Sequence, residues 1–249
     1  MEKSPLTAEA SLVLAQGCNF LLWFLVTFID MQSCHHNINI FNDSFTFYCE
    51  PFIIIFNMNI AIIATSPRKN SNSLRFSKYL QKLAQTSGFK DVTVVDFHLF
   101  DIPSVGRGTV NKDALTEFQS ELITAWRNAD LVFFVTPEYN FTVNGDLLNA
   151  LHQLGSKEFA HLFHDKVFAL AGVSAGRGGK TPCLELTTVV NKIINFSNQY
   201  SVVSPRIFES HETHKNLDDN ADSAGNKIYE DGVKAFLDYS VEVTKRWIK

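Results

Sequence analysis

The chain has 249 residues, 45% of them hydrophobic, and a formal charge of -4, which is enough apolar material for a real core and too much for a disordered tail. Of its 22 bases and 26 acids, residues 1–57 hold one base (Lys3) and five acids (Glu2, Glu9, Asp30, Asp43, Glu50), leaving residues 58–249 balanced at 21 of each. A neutral domain has no bulk attraction to a phosphate backbone, so nucleic acid is disfavoured as a partner.

Residues 1–57 read differently from the rest. No Lys or Arg occurs between Pro5 and Pro67, and Phe, Ile and Asn crowd together in Ile38–Asn42 and Phe52–Asn57. Ala10–Ile29 is uncharged and just long enough to cross a bilayer, but Gln16, Gly17 and Asn19 interrupt it. Ahead of it Lys3 is outweighed by Glu2 and Glu9, and no basic cluster follows Ile29, which argues against a targeting segment. Three readings stand: an extension irrelevant to the fold, such as a misassigned start with Met58 as the functional one; a membrane anchor; or a packed decoration. Cys34-His35-His36 lacks a second ligand pair, so it is a weak metal signal. Cys18, Cys34 and Cys49 also lie here, which leaves Cys183 alone in the main body, with no disulfide framework implied and core packing expected of it. The sequons at Asn140 and Asn195 are short enough to be incidental.

From Met58 onward, strand and helix alternate. Asn59–Thr65 is a short apolar run that fits a strand buried on both faces. Leu74, Phe76, Tyr79, Leu80, Leu83 and Ala84 follow helical spacing up to Gly88. Val92–Asp96 is a second strand, and residues 97–111 form a loop before the helical stripe Leu115, Phe118, Leu122, Ile123 and Trp126. A strand over Leu131–Val135, a helix near Asp146–Leu154, a strand over Val167–Val173 and a helix near Cys183–Asn195 come next. A last strand around Tyr200–Val203 and a closing helix over Gly232–Trp247 complete the series. Five strands with intervening helices predict an α/β, doubly wound five-stranded parallel sheet with helices on both faces, because parallel neighbours need crossover connections. Ligands of such sheets sit beyond the carboxyl ends of the strands, where the strand order reverses.

Three loops fall at that edge. Thr65–Ser73 (Thr-Ser-Pro-Arg-Lys-Asn-Ser-Asn-Ser) opens into a helix and suits a phosphate, through free helix amides and the guanidinium of Arg68. It is neither a Walker A loop nor a G-x-G-x-x-G turn, and a helix simply capped by Ser71 or Asn72 competes with the phosphate reading. Thr136–Gly145 (Thr-Pro-Glu-Tyr-Asn-Phe-Thr-Val-Asn-Gly) offers the flat ring of Tyr139 and the amide of Asn140, although alone it reads as an ordinary connection. Ser174–Lys180 carries Gly176, Gly178 and Gly179, which allow close backbone approach to a ligand; a flexible surface turn is the alternative.

Together these segments resemble the three flavin loops of the NADPH-dependent FMN reductase family, flavodoxin-like quinone and azo-compound reductases, over nearly all of residues 58–249. The resemblance implies a flavodoxin-like fold, FMN as cofactor, and hydride transfer from NADPH or NADH to a small-molecule acceptor. It further implies a homodimer or homotetramer in the cytoplasm, with a membrane involved only if the N-terminal extension is a real anchor. By position, Ser66, Arg68, Ser71 and Ser73 would hold the phosphate. Pro137, Glu138, Tyr139 and Asn140 would line the isoalloxazine, and Ser174, Gly176, Arg177 and Gly178 would close its other side. Thr65 stands where that family usually has Gly, Leu148 where Lys is common, and Asn216–Asn226 has no evident counterpart.

Hydride transfer needs no acid-base pair from the protein, since the cofactor carries the chemistry. His161/His164 and His211/His214 lack the spacing of a metal helix and read as structural or solvated. A competing function is a flavodoxin-like electron carrier or redox sensor acting through a partner protein. A phosphoacceptor domain would need Asp at the end of the third strand, where Thr136-Pro137 stands.

Overall fold

The computed structural model describes residues 58–248. The readings made for residues 1–57 lie outside the described residues.

β1 (Ile60–Ala64), β2 (Val92–Asp96), β3 (Leu131–Pro137) and β4 (Val167–Val173) form a parallel sheet whose order is β2-β1-β3-β4 followed by β5 (Val202–Val203). The alternating apolar residues of these strands feed two cores. Ile60, Ile62, Leu131, Phe133 and Val135 face one side, and Ala61, Ile63, Val132, Phe134 and Phe168 face the other. On the first side pack α1 (Asn72–Thr86) and the closing helix, through Phe76, Leu80, Val233 and Phe236. On the second pack α2 (Glu117–Asn128), α3 (Gly145–Leu154) and α4 (Lys180–Phe196), through Leu122, Trp126, Leu147, Leu151, Leu186 and Val190. Burial on both faces is why the strands are nearly continuous apolar runs.

The expected five-strand sheet holds, with its fifth position divided. β5 pairs only with Val167 and Phe168, while β6 (Phe208–Ser210) pairs with Ala171, Gly172 and Val173. Between them lies Ser204-Pro205-Arg206-Ile207, in which Pro205 has no amide to give a ladder. The expected strand around Tyr200 shrinks accordingly to two residues.

The helix starts also move. α4 begins at Lys180 rather than Cys183, and after the single turn α5 (Thr213–Asn216) the closing helix α6 runs Lys227–Trp247, capped by the Asn226 side chain. Two 3-10 segments, Phe97–Leu99 and Lys157–Phe163, were not legible in the periodicity. Residues 216–226 form a strap against α1. Arg75 donates to the Leu217 carbonyl at 3.3 Å and pairs with Asp219, and Lys82 pairs with Asp222 at 2.6 Å. Among the described residues no helix is long and apolar enough to cross a membrane.

Candidate functional site

The strand order reverses between β1 and β3, so the loops following these two strands meet at the carboxyl edge of the sheet. Their junction is a buried polar knot. The Thr65 amide donates to the Val135 carbonyl at 2.9 Å, and Asn144 Oδ1 accepts from the hydroxyls of Thr65 and Thr136, each at 3.2 Å. Asn144 Nδ2 returns a bond to the Thr65 carbonyl at 2.6 Å. Asn144 occupies the cap position of α3 yet makes no side-chain capping bond, because Oδ1, the atom that would accept it, is taken by the Thr65 and Thr136 hydroxyls.

The first loop ends in α1, whose first turn carries no acid. Ser71 Oγ accepts from the Leu74 amide at 3.1 Å, so this serine caps the helix, as the competing reading of the loop had it. Ser73 Oγ is buried and has no hydrogen-bond partner among the described residues. Ser77 Oγ, Trp126 Nε1 and Ser204 Oγ share that state, so it is the place of Ser73 in the first turn of α1, where an anion is favoured, that makes its hydroxyl a candidate donor to a ligand. Ser66 is buried and its Oγ lies 3.0 Å from the Tyr139 hydroxyl. The Arg68 guanidinium sits 4.7 Å above the Tyr139 ring, a cation-π arrangement. The free helix amides, the orphaned Ser73 hydroxyl and the adjacent guanidinium together fit a phosphate.

In the second loop Pro137 is the last residue of β3, buried opposite Val173 rather than free in the loop. The expected strand end at Val135 was therefore two residues short. Tyr139 and Thr142 exchange both main-chain bonds at 3.1 Å, closing a two-residue turn whose central residues, Asn140 and Phe141, have φ of 48° and 66°. Glu185 of α4 secures this turn from below, accepting from Thr142 Oγ1 at 2.7 Å and from the Val143 amide at 2.9 Å. Nothing in the local sequence around Glu185 marks it as part of the site.

The third loop folds back over β4. A Cβ at Gly172 would fall on the Gly179 carbonyl, so only glycine permits this crossing, and Gly179 itself has φ of 114°. The Glu138 carboxylate accepts from the Gly179 amide and fills the space where a Cβ of Gly178 would be, which staples the second loop to the third. Ser174 Oγ accepts from the Gly176 amide at 3.0 Å. Arg177 is exposed and lines a groove of about 740 Å³ with His211, Glu212, Lys215 and Asn226. There Lys215 and Arg177 hold the Glu212 carboxyl below its ordinary range, with the Lys215 hydrogen bond the larger cause.

The structure thus brings Ser66 and Arg68 onto Tyr139, with Asn140 next to it in the turn, sets Glu138 against Gly178 and Gly179, and leaves Arg177 lining the neighbouring groove. Thr65, where a glycine was expected, serves the knot with Asn144. Leu148, where a lysine was expected, packs against the apolar core. Asn149 and Gln153 of α3 were not singled out by the sequence; they pin the loop after β2 through the carbonyls of Ile102, Pro103 and Gly108. Cys183 is buried, and burial pushes its thiol up to about 12, which suits packing and not nucleophilic attack.

Comparison with known proteins agrees with this architecture. The family model of NADPH-dependent FMN reductase matches residues 58–205. A quinone reductase of Pseudomonas putida is 31% identical over 123 residues, 49% of this chain and 62% of that protein. An NADPH azoreductase of a Bacillus species is 30% identical over 122 residues, again 49% and 62%. The chain therefore spans less than two thirds of the length of these relatives. Among solved structures, the flavoenzyme NAD(P)H:(acceptor) oxidoreductase FerB from Paracoccus denitrificans aligns with a TM-score of 0.59 at 21% identity, over 76% of this chain and 98% of that one. At that identity the likeness speaks for the fold. Because the family model covers more than half of the chain, the protein belongs to the NADPH-dependent FMN reductase family.

Proposed function

We propose that residues 58–249 form an FMN-dependent oxidoreductase that oxidises NADPH or NADH and delivers the electrons to a small quinone-like or azo-like acceptor. The observation that carries this reading is the meeting of three loops at the β1/β3 reversal, beside a buried Ser73 hydroxyl that has no partner among the described residues. The names of the Pseudomonas putida and Bacillus relatives, a quinone reductase and an NADPH azoreductase, support the acceptor class.

When bound, FMN would accept a hydride from the nicotinamide and pass two electrons to the acceptor, which takes up two protons in all, one of them from solvent. The chain's own residues bind and orient. The amides opening α1, Ser73 Oγ and Arg68 would hold the phosphate. Tyr139, fixed by Ser66 and Arg68, would border the ring edge together with Asn140, while Glu138 would hold the second loop against Gly178 and Gly179. Amides of the glycine loop would face the pyrimidine end, where donors stabilise negative charge. Ser71 enters this reading through the helix it caps, and Ser174 through the turn that it stabilises at Gly176. The reading extends to a homodimer or homotetramer working in the cytoplasm, as the family resemblance implies.

Purified full-length protein should be yellow, release FMN on denaturation, and lose its flavin absorbance rapidly on mixing with NADPH under anaerobic stopped-flow conditions. Addition of a quinone should restore the colour. A colourless protein unable to take up FMN would overturn the reading; a flavoprotein that NADPH does not bleach would favour the electron-carrier alternative.

A further inference from the structure

We infer that Phe141 is a specificity-determining residue of this site, an exposed aromatic platform that selects planar, uncharged ring acceptors; the inference rests on the reductase reading above. Phe141 is 80% exposed, and its backbone lies in the left-handed region with φ of 66°. Asn140 beside it tolerates such a conformation, whereas a bulky aromatic residue adopts it only with strain.

The turn that presents the ring is held firmly. Tyr139 and Thr142 close it with two main-chain bonds, and Glu185 ties Thr142 and Val143 to α4. Strain kept in place by so many surrounding bonds points toward function.

The neighbouring aromatic ring is already engaged. Arg68 covers a face of Tyr139, and the Tyr139 hydroxyl meets Ser66. Phe141 is therefore the exposed ring of this loop. The Phe141 side chain is apolar and carries no charge of its own, so the ligand that this ring suits is a flat ring that stacks in an offset or edge-to-face manner, rather than a compact hydrated anion. Quinones and azo-arenes meet that description; ferricyanide does not.

The test uses the full-length FMN-loaded protein, with 1,4-naphthoquinone as the planar probe and ferricyanide as the compact anionic one. Naphthoquinone binding to the oxidised protein without NADPH is measured by calorimetry for wild type, Phe141→Gly, Phe141→Leu and Phe141→Tyr. Loss of one aromatic stacking contact should weaken binding about tenfold in the Gly and Leu variants, with Phe141→Tyr restoring it. The ratio of kcat/KM for naphthoquinone over ferricyanide should fall by a similar factor. Phe141→Gly should fold at least as stably as wild type, since glycine accepts this φ without strain, so a folding defect does not confuse the comparison. Equal naphthoquinone affinity in wild type and Phe141→Gly would overturn the inference. So would parallel losses for both acceptors, or a loss that tracks weakened FMN retention. A wild-type protein that holds no FMN defeats the reductase reading and this inference together, and is recognised before any variant is compared.

Discussion

Asn144 donates from Nδ2 to the Thr65 carbonyl at 2.6 Å, joining residues 79 positions apart at the point where the sheet reverses its strand order. The same side chain accepts from Thr65 and Thr136, so one amide sets the spacing of the two loops that follow β1 and β3. Asn144→Ala should leave the Thr65 carbonyl without its bond from Asn144 and destabilise the FMN-free protein by about 1–3 kcal/mol in urea denaturation. Asn144→Asp keeps the acceptor for both hydroxyls but turns an oxygen toward the Thr65 carbonyl, and should be no more stable than the alanine variant. Wild-type stability in either variant would show that the knot does not set this spacing.

Ser73 separates a structural role from a ligand role. Its Oγ and that of Ser77, one turn further along α1, are both buried without partners among the described residues. Removing either hydroxyl relieves an unsatisfied group, so both alanine variants should match or exceed wild-type stability without cofactor. Only Ser73 stands in the first turn of the helix, next to the phosphate expected there. Ser73→Ala should therefore weaken FMN binding by about tenfold while Ser77→Ala does not, as read by flavin fluorescence on titration of the FMN-free protein. Equal affinities in the two variants would remove Ser73 from the phosphate site.

The Glu138 staple calls for a double-mutant cycle. A methyl at Gly178 would push the Glu138 carboxylate off the Gly179 amide. Gly178→Ala and Glu138→Ala should each loosen the third loop and speed FMN release. Once Glu138 has been shortened there is room for the methyl, so adding Gly178→Ala to Glu138→Ala should cost little more. Additive losses would mean that the two residues act independently.

The parts that could be read from the sequence were those governed by local pattern. β4 runs Val167–Val173 as its apolar run dictates, and α1 follows from its 3.6-residue stripe and the Ser71 cap. What escaped depends on tertiary partners. Three residues at Phe208–Ser210 are too short for any period to register, and they become a strand only because β4 offers an open ladder at Ala171–Val173. Glu185 reads as one polar position on a helix until the fold brings Thr142 within 2.7 Å of it. Tyr139 was legible as a flat ring, but not the guanidinium above it, since no spacing rule links Arg68 to a residue two strands away.

Lys166 gives the fold a pH dependence of definite sign. It is buried at the foot of β4, where Nζ donates to the Arg127 and Ala129 carbonyls at 2.9 and 2.6 Å and so closes the carboxyl end of α2. Burial pushes its pKa down from 10.5 to about 8, against a weaker upward pull from Asp130 and Asp165. Between these two values the unfolded chain binds more protons than the folded one, so stability rises with pH across the window. Below pH 8 both states carry the proton and the burial penalty is present in full. Lys166→Met removes this term along with the two hydrogen bonds. Urea denaturation of both proteins from pH 7 to pH 10 should show wild type gaining stability relative to Lys166→Met as the pH rises above about 8. A constant difference between the two curves would mean that Lys166 keeps its ordinary pKa in the folded protein, and that the two carbonyls, rather than burial, dominate its surroundings.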